Sequence, residues 1–260
     1  MSGLKSVRES KKNPLNYWDV NISGTITLLK VMDKYNCRKL IFSSSASIYG
    51  NSKKAPFSED CEPNTLNPYA NTKLSAEIFF EDLCISNSKK WDIISLRYFN
   101  PIGAHKTGLI GEEPLLENDN IFPLILKSCV DQNKKIYIYG RDWPTPDGTC
   151  IRDYIHIEDL AEGHVVALRN VLNENRGFMI INLGTGKGTS VLELLKVFEK
   201  VNNVKLEYEF TSRRDGDCSI LVADNTKALN YLRWSPKRGL EEMCLDGYNW
   251  LKVNQKVCFC

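Results

Sequence analysis

Lys39-Leu40-Ile41-Phe42-Ser43-Ser44-Ser45 is a short apolar run closing on small hydroxyl residues, and its reading decides the fold. A run of this kind is what a strand buried on both faces looks like where it reaches the edge of a sheet. After a loop with Gly50, Pro56, Pro63 and Pro68, Tyr69 to Asn87 reads as a long helix. Trp91 to Tyr98 (WDIISLRY) reads as a second buried strand. Strand, helix, strand in that order predicts parallel pairing through a right-handed crossover. Ligands of such sheets bind at the carboxyl ends of the strands, where Ser43 to Ser45 and Asn100-Pro101 both fall.

Upstream, Pro14 to Asn36 reads as a helix with Leu28, Leu29 and Met32 on one side. Beyond Asn100 the segments shorten. Asn120 to Gln132, Ile157 to Leu172 and Thr189 to Val201 read as helices, and Lys135 to Tyr139, Phe178 to Leu183 and Lys205 to Phe210 as strands. Trp143 to Thr149 is a Pro/Gly-rich loop. A soft domain boundary near residue 100 follows, with the second part expected as a cap over the first.

With 260 residues, 42% hydrophobic and 25% charged, the chain suits one large α/β domain or two small ones packed together. Its 34 basic and 32 acidic residues leave a net charge of +2, which offers no footprint for nucleic acid or an anionic membrane. No apolar run approaches the ~18 residues of a membrane span. The charged first segment, MSGLKSVRESKKNP, lacks the apolar core of a signal peptide. Nine scattered cysteines without a CxxC pair argue against structural zinc or a disulfide framework. They read as reduced cytoplasmic thiols, with Cys258 and Cys260 on a tail expected to fray.

Three Tyr-x-x-x-Lys pairs occur: Tyr35/Lys39, Tyr69/Lys73 and Tyr248/Lys252. One helical turn places such a pair on one face. A phenol near pKa 10 must be lowered by about 3 units to act as a base at neutral pH, and an ammonium one turn away, with a cationic cofactor ring, can supply that. Only Tyr69 follows a serine cluster at a strand end and opens a helix after Asn67-Pro68. Ser45 is placed to hydrogen-bond the hydroxyl that Tyr69 would deprotonate. The segment Asn182-Leu183-Gly184-Thr185-Gly186-Lys187-Gly188-Thr189 imitates a phosphate-binding turn, but its GxGxG spacing is neither GxGxxG nor a P-loop, so a tight structural turn into the next helix is expected. Arg152-Asp153-Tyr154-Ile155-His156 and Arg213-Arg214-Asp215-Gly216-Asp217 suit a diphosphate and a ribose, or else surface ion pairs.

Together these segments resemble the extended short-chain dehydrogenase/reductase superfamily and, within it, the UDP-glucose 4-epimerase family. The resemblance rests on GLKSVRES (3–10), NISGT (21–25), FSSSASIYG (42–50), NPYANTK (67–73), LRYFNPIGAH (96–105), DGTCIRDYIHIEDLAEGH (147–164), NLGTG (182–186) and RRDGD (213–217). It implies a Rossmann-like doubly wound parallel sheet, its N-terminal strands missing, with a smaller C-terminal α/β substrate-binding cap. Residues 1–100 would be the remainder of the NAD-binding domain and 101–260 the UDP-sugar-binding domain, with an interleaved boundary. The implied activity is NAD-dependent interconversion of UDP-glucose and UDP-galactose through a 4-keto intermediate.

Residue by residue, Tyr69 matches the family's base, Lys73 its partner and Ser45 the hydrogen-bonding hydroxyl. Lys5, Asn21 and Tyr98 match further cofactor contacts. Asn100, Asn120, Ile121, Tyr137, Tyr139, Arg152, Arg214, Asp217 and Leu221 match substrate contacts. Leu221 stands where residue size gates N-acetylated sugars, and leucine is intermediate there. Related dehydratases and decarboxylases carry an acid just after the strand-end serine, whereas this chain has Ala46 and Ser47. Asp119 stands where an asparagine is usual. The family's opening strand, GxGxxG turn and helix do not occur here. At ~30 residues per βαβ unit, roughly 60–90 residues are expected to be absent. The alternatives kept open are a catalytically incompetent fragment and an epimerase that also accepts UDP-N-acetylhexosamines. By analogy with the family, a homodimer would form through the Pro14–Asn36 and Tyr69–Asn87 helices.

Overall fold

The computed structural model describes residues 3–51, 55–86, 90–113, 120–131, 135–174 and 177–257. Asp119, Asn87, Gln132, Cys258 and Cys260, all named above, lie outside them. The chain divides into two compact units. Unit 1 comprises Met1–Tyr98, Glu162–Leu183 and Asp224–Trp234; unit 2 comprises Phe99–Ala161, Gly184–Ala223 and Ser235–Cys260. The first change of unit, at Tyr98/Phe99, falls at the soft boundary read from the sequence. A single cut there does not separate the units, because two later segments return to unit 1.

Unit 1 is built on a parallel sheet of β1 (Lys39–Ser45), β2 (Asp92–Tyr98) and β7 (Phe178–Leu183), in that order. The return of β7 follows from its pairing: an apolar strand fits beside β2, whose first six residues are all buried. Helix α4 (Pro68–Ile85) is the crossover from β1 to β2. Its entry is set by Asn67, whose side chain accepts from the Ala70 N–H, and by Pro68 in the first turn. Ala76 and Phe80 of α4 pack with Leu40, Phe42, Trp91 and Ile93 of the sheet side and with Leu29. Phe80 meets Phe42 edge-on at 4.8 Å between ring centroids.

Upstream of β1, a short helix α1 (Val7–Lys12) precedes α2 (Pro14–Trp18) and α3 (Gly24–Lys34). The sequence reading of one helix from Pro14 to Asn36 is corrected in two details. A π-turn at Asp19–Ser23 interrupts it, and Tyr35 ends it. Tyr35 and Lys39 therefore do not share a helical face, since Lys39 already belongs to β1.

Among the described residues, unit 2 holds three small sheets. β3 (Asn100–Ile102) runs parallel to β6 (Tyr154–His156), and β4 (Ile136–Tyr139) parallel to β9 (Tyr208–Thr211). β5 (Ile151–Arg152) lies between β10 (Ile220–Leu221), parallel to it, and β8 (Thr189–Ser190), antiparallel. The core gathers Phe122 and Ile125 of α5 (Ile121–Val130), Leu194 and Phe198 of α7 (Val191–Asn202), and Met243 of α8 (Leu240–Val257) around Ile136 and Ile138. Helix α6 (Ile157–Asn173) contains the change of unit at Ala161/Glu162. The helix expected from Thr189 starts two residues later, because Thr189–Ser190 pairs with β5 and Ser190 then caps α7 in a reciprocal box with Glu193. The strand expected over Lys205–Phe210 is Tyr208–Thr211. No described helix is long and apolar enough to cross a membrane.

Candidate active site

Unit 1 brings together Ser45, Tyr69, Lys73 and Tyr98. The parallel register sets Ser45 opposite Tyr98 at the carboxyl ends of β1 and β2. Ser45 Oγ accepts from the Ser47 N–H at 3.2 Å and the Ser47 hydroxyl at 2.9 Å, and the Ser45 side chain favours the ionised form of the Tyr69 phenol. Lys73 Nζ donates to the Ser43 carbonyl at 2.8 Å and lies over the rings of Phe42 (4.8 Å) and Tyr69 (5.8 Å). The Tyr98 phenol donates to Ser43 Oγ at 2.7 Å and also meets His164 Nε2.

The electrostatics differ from the sequence expectation in one respect. Burial pushes Tyr69 above the ordinary phenol range, and the Ser45 hydroxyl only partly opposes it. Burial also pulls Lys73 down to about 8, opposed by the charge of Glu77. Lys73 spends its hydrogen bond on a backbone carbonyl, and its nearness alone does not turn Tyr69 into a base. Tyr98 is pushed up to about 12, chiefly by burial and in part by Tyr69.

Asn21 is buried, but its amide is taken up by the chain. Its oxygen accepts from the Leu4 N–H, and its nitrogen donates to the Leu4 carbonyl and Thr72 Oγ1. Lys5 is exposed beside it in sequence.

Unit 2 brings together two other groups. Arg214 forks onto the Asp217 carboxylate at 3.2 and 3.0 Å and lies over the Tyr139 ring at 5.1 Å. Arg152 stands beside Leu221 in the β5/β10 register and donates from Nη1 to the Ile151 and Cys218 carbonyls. Asn100 enters β3 through an N–H bond to the Asp153 carbonyl, and its Oδ1 is buried without a hydrogen-bond partner among the described residues. Asn120 is exposed just before Ile121 opens α5, and Tyr137 is exposed on β4.

The glycine turn after β7 holds an anion of its own. Asp153 accepts from the Thr185 N–H (2.7 Å), the Gly186 N–H (2.9 Å) and the Ala223 N–H (3.1 Å). Such donors suit a phosphate, and a side-chain carboxylate occupies them here. The turn is therefore structural.

The sequence reading missed a buried polar network in unit 1. Glu77, one turn past Lys73, accepts from Ser44, Ser95 and Arg97, and Arg97 stacks on Tyr49. The signals were present: Glu77 continues the Tyr69/Lys73 helical face, and Arg97 is the one cation inside the WDIISLRY run.

A parallel α/β sheet with Ser at a strand end and Tyr and Lys one turn apart on the crossover helix defines the short-chain dehydrogenase/reductase type of protein. The chain belongs to the NAD dependent epimerase/dehydratase family, which it matches over residues 1–184. It is 47% identical over 253 residues to UDP-glucose 4-epimerase 4 of Oryza sativa subsp. japonica, a match covering 97% of this chain and 68% of that protein. The structure of UDP-glucose-4-epimerase from Stenotrophomonas maltophila, with bound NAD and formylated UDP-arabinopyranose, is similar at a TM-score of 0.95 and 41% identity over 99% of this chain and 76% of that one. That of UDP-glucose 4-epimerase from Bifidobacterium longum, in complex with NAD+ and UDP, is similar at 0.92 and 42% identity, over 98% and 76%.

The residues present fit one end of NAD. Tyr69, Lys73, Ser43 and Tyr98 put hydroxyl and ammonium groups at adjoining strand ends, a donor set suited to a ribose and its nicotinamide. The pyrophosphate end finds no glycine turn of GxGxxG spacing in this sequence, and Asp153 fills the GxGxG turn.

Proposed function

We propose that this chain inverts C4 of a UDP-hexose, interconverting UDP-glucose and UDP-galactose through a 4-keto sugar. The observation that carries the reading is Lys73 Nζ held over the Tyr69 ring by the Ser43 carbonyl, at the strand end that carries Ser45. The chain's likeness to proteins named as UDP-glucose 4-epimerases supports it. Ser45 orients the sugar 4-hydroxyl, and Tyr69 takes its proton as the C4–H bond breaks. NAD, when bound, would supply the acceptor for that hydride and a positive ring charge. The keto sugar receives the hydride on its opposite face, and Tyr69 returns the proton to O4, so atoms and charge balance. Lys73 keeps a cation beside Tyr69 throughout. With Ala46 and Ser47 after Ser45, no acid stands there to drive elimination.

In unit 2, Arg152 and Arg214 are assigned to the diphosphate, Asp217 and Tyr139 to the nucleoside, and Asn100, Asn120, Ile121 and Tyr137 to further substrate contacts. Leu221 limits the space at the sugar. Lys5, Asn21 and Tyr98 complete the cofactor set. The test is incubation of the chain and NAD with UDP-galactose or UDP-N-acetylgalactosamine. The reading expects UDP-glucose from the first and a lower kcat/KM on the second; equal values would remove Leu221 from specificity. A second reading, a UDP-sugar binder without turnover, is favoured by the burial that holds the Tyr69 phenol above its ordinary range. It expects UDP to bind while no product forms. The assembly assigned is a homodimer, supported by Leu15, Val31 and Ile78 exposed on α2, α3 and α4.

A further inference from the structure

Glu77 sits one helical turn beyond Lys73 on α4, as Lys73 sits one turn beyond Tyr69. Its carboxylate is 2% exposed and holds five hydrogen bonds from two strands. Ser44 of β1 donates at 2.7 Å, Ser95 of β2 at 3.0 Å, and Arg97 of β2 from Nε and Nη2, the latter at 2.6 Å. Ser44 immediately precedes the candidate catalytic Ser45, and Arg97 immediately precedes Tyr98. Arg97 is equally buried and lies 4.9 Å over the Tyr49 ring. Tyr49 in turn donates to Asn182 of β7 at 2.6 Å. One carboxylate therefore ties the catalytic helix to both strands that carry the other candidate residues.

We propose that Glu77, locked by Arg97, is a positioning residue for the epimerase chemistry. It holds the Lys73 ammonium in its charged form beside Tyr69 and fixes α4 against the ends of β1 and β2. The inference rests on the assignment of Lys73 as the partner of Tyr69. Glu77 acts on Lys73 through its charge and the Tyr69 ring lies 5.8 Å from Nζ, while Arg97 meets the Glu77 carboxylate and Tyr98 meets Ser43, whose carbonyl takes the Lys73 bond. Burial pulls Lys73 down to about 8, and Glu77 is the opposing cause. A buried lysine without that anion would be neutral over more of the working pH range and would lose its hold on the phenol.

The experiment is competitive acetylation of Lys73 against pH, read by peptide mass spectrometry on the full chain. Glu77→Gln/Arg97→Gln removes both charges together and leaves no lone buried ion. Glu77→Met/Arg97→Met does the same with apolar groups of similar volume, a replacement that buried ion pairs tolerate. Either is expected to lower the Lys73 titration by about one unit. Ser95→Ala removes a hydrogen bond to the same carboxylate but no charge, and is expected to leave the titration in place. An unmoved Lys73 in the double variants, or an equal fall in Ser95→Ala, would overturn the proposal. The readout needs no turnover. A chain that fails to convert UDP-hexoses would count against the epimerase reading and leave the titration result intact.

Discussion

Tyr69 is held between two opposing influences, and the stronger one raises its pKa. Burial disfavours the phenolate, while the Ser45 hydroxyl favours it. Ser45→Ala is therefore expected to move Tyr69 further above the ordinary phenol value of about 10. The shift is measurable by carbon-13 tyrosine NMR with Tyr69→Phe as the assignment control, and an unchanged or lower titration would contradict the influence of Ser45. Lys73 carries the opposite sign. Its folded-state value, about 8, lies below the unfolded 10.5, so between these values the unfolded chain binds more protons. Lys73 accordingly destabilises the fold below pH 8, and that penalty fades as pH rises to 10.5. Lys73→Met is expected to gain stability over wild type at pH 7 and to lose the advantage by pH 10.5 in urea titrations. A difference independent of pH would show that desolvation of the ammonium is not the cause.

At the scale of elements, the β1–α4–β2 unit was legible because two apolar runs flank a long helical segment. The grouping of the candidate residues was legible because Tyr69 and Lys73 share a turn and the serines close a strand. The Glu77–Arg97 pair was not: charged residues read as surface by default, and only tertiary packing buries these two. The Asp153 cage was hidden for another reason. The GxGxG turn and its acceptor stand 32 residues apart, a separation that no local pattern reports. Asp153→Ala would leave the Thr185, Gly186 and Ala223 N–H groups without their acceptor, costing about 1–3 kcal/mol for each one that stays dry. Hydrogen exchange at Thr185 and Gly186 should then accelerate while α4 amides keep their protection. Unchanged exchange at the turn would mean that other groups hold it. The π-turn at Asp19–Ser23 and the two-residue strand at Thr189 also escaped the sequence, because both depend on pairing and not on apolar period.

For the whole molecule, the division of labour follows the interleaved chain path. Unit 1 collects the proposed acid–base residues at the end of β1 and the start of α4, and unit 2 collects Arg152 and Tyr139 on short strands with Arg214 and Asp217 between β9 and β10. The chain first changes unit at Tyr98/Phe99, where its segments begin to shorten. The return of Glu162–Leu183 and Asp224–Trp234 was not legible in the sequence, since it depends on which sheet each strand joins. The central claim is that Tyr69 exchanges a proton with O4 while the C4 hydrogen leaves and returns as hydride. Its most direct measurement follows UDP-galactose deuterated at C4 through the chain supplied with NAD, with Tyr69→Phe alongside. The account expects UDP-glucose that keeps deuterium at C4, and no product from Tyr69→Phe although UDP still binds. Deuterium lost to solvent, or wild-type rates from Tyr69→Phe, would contradict it.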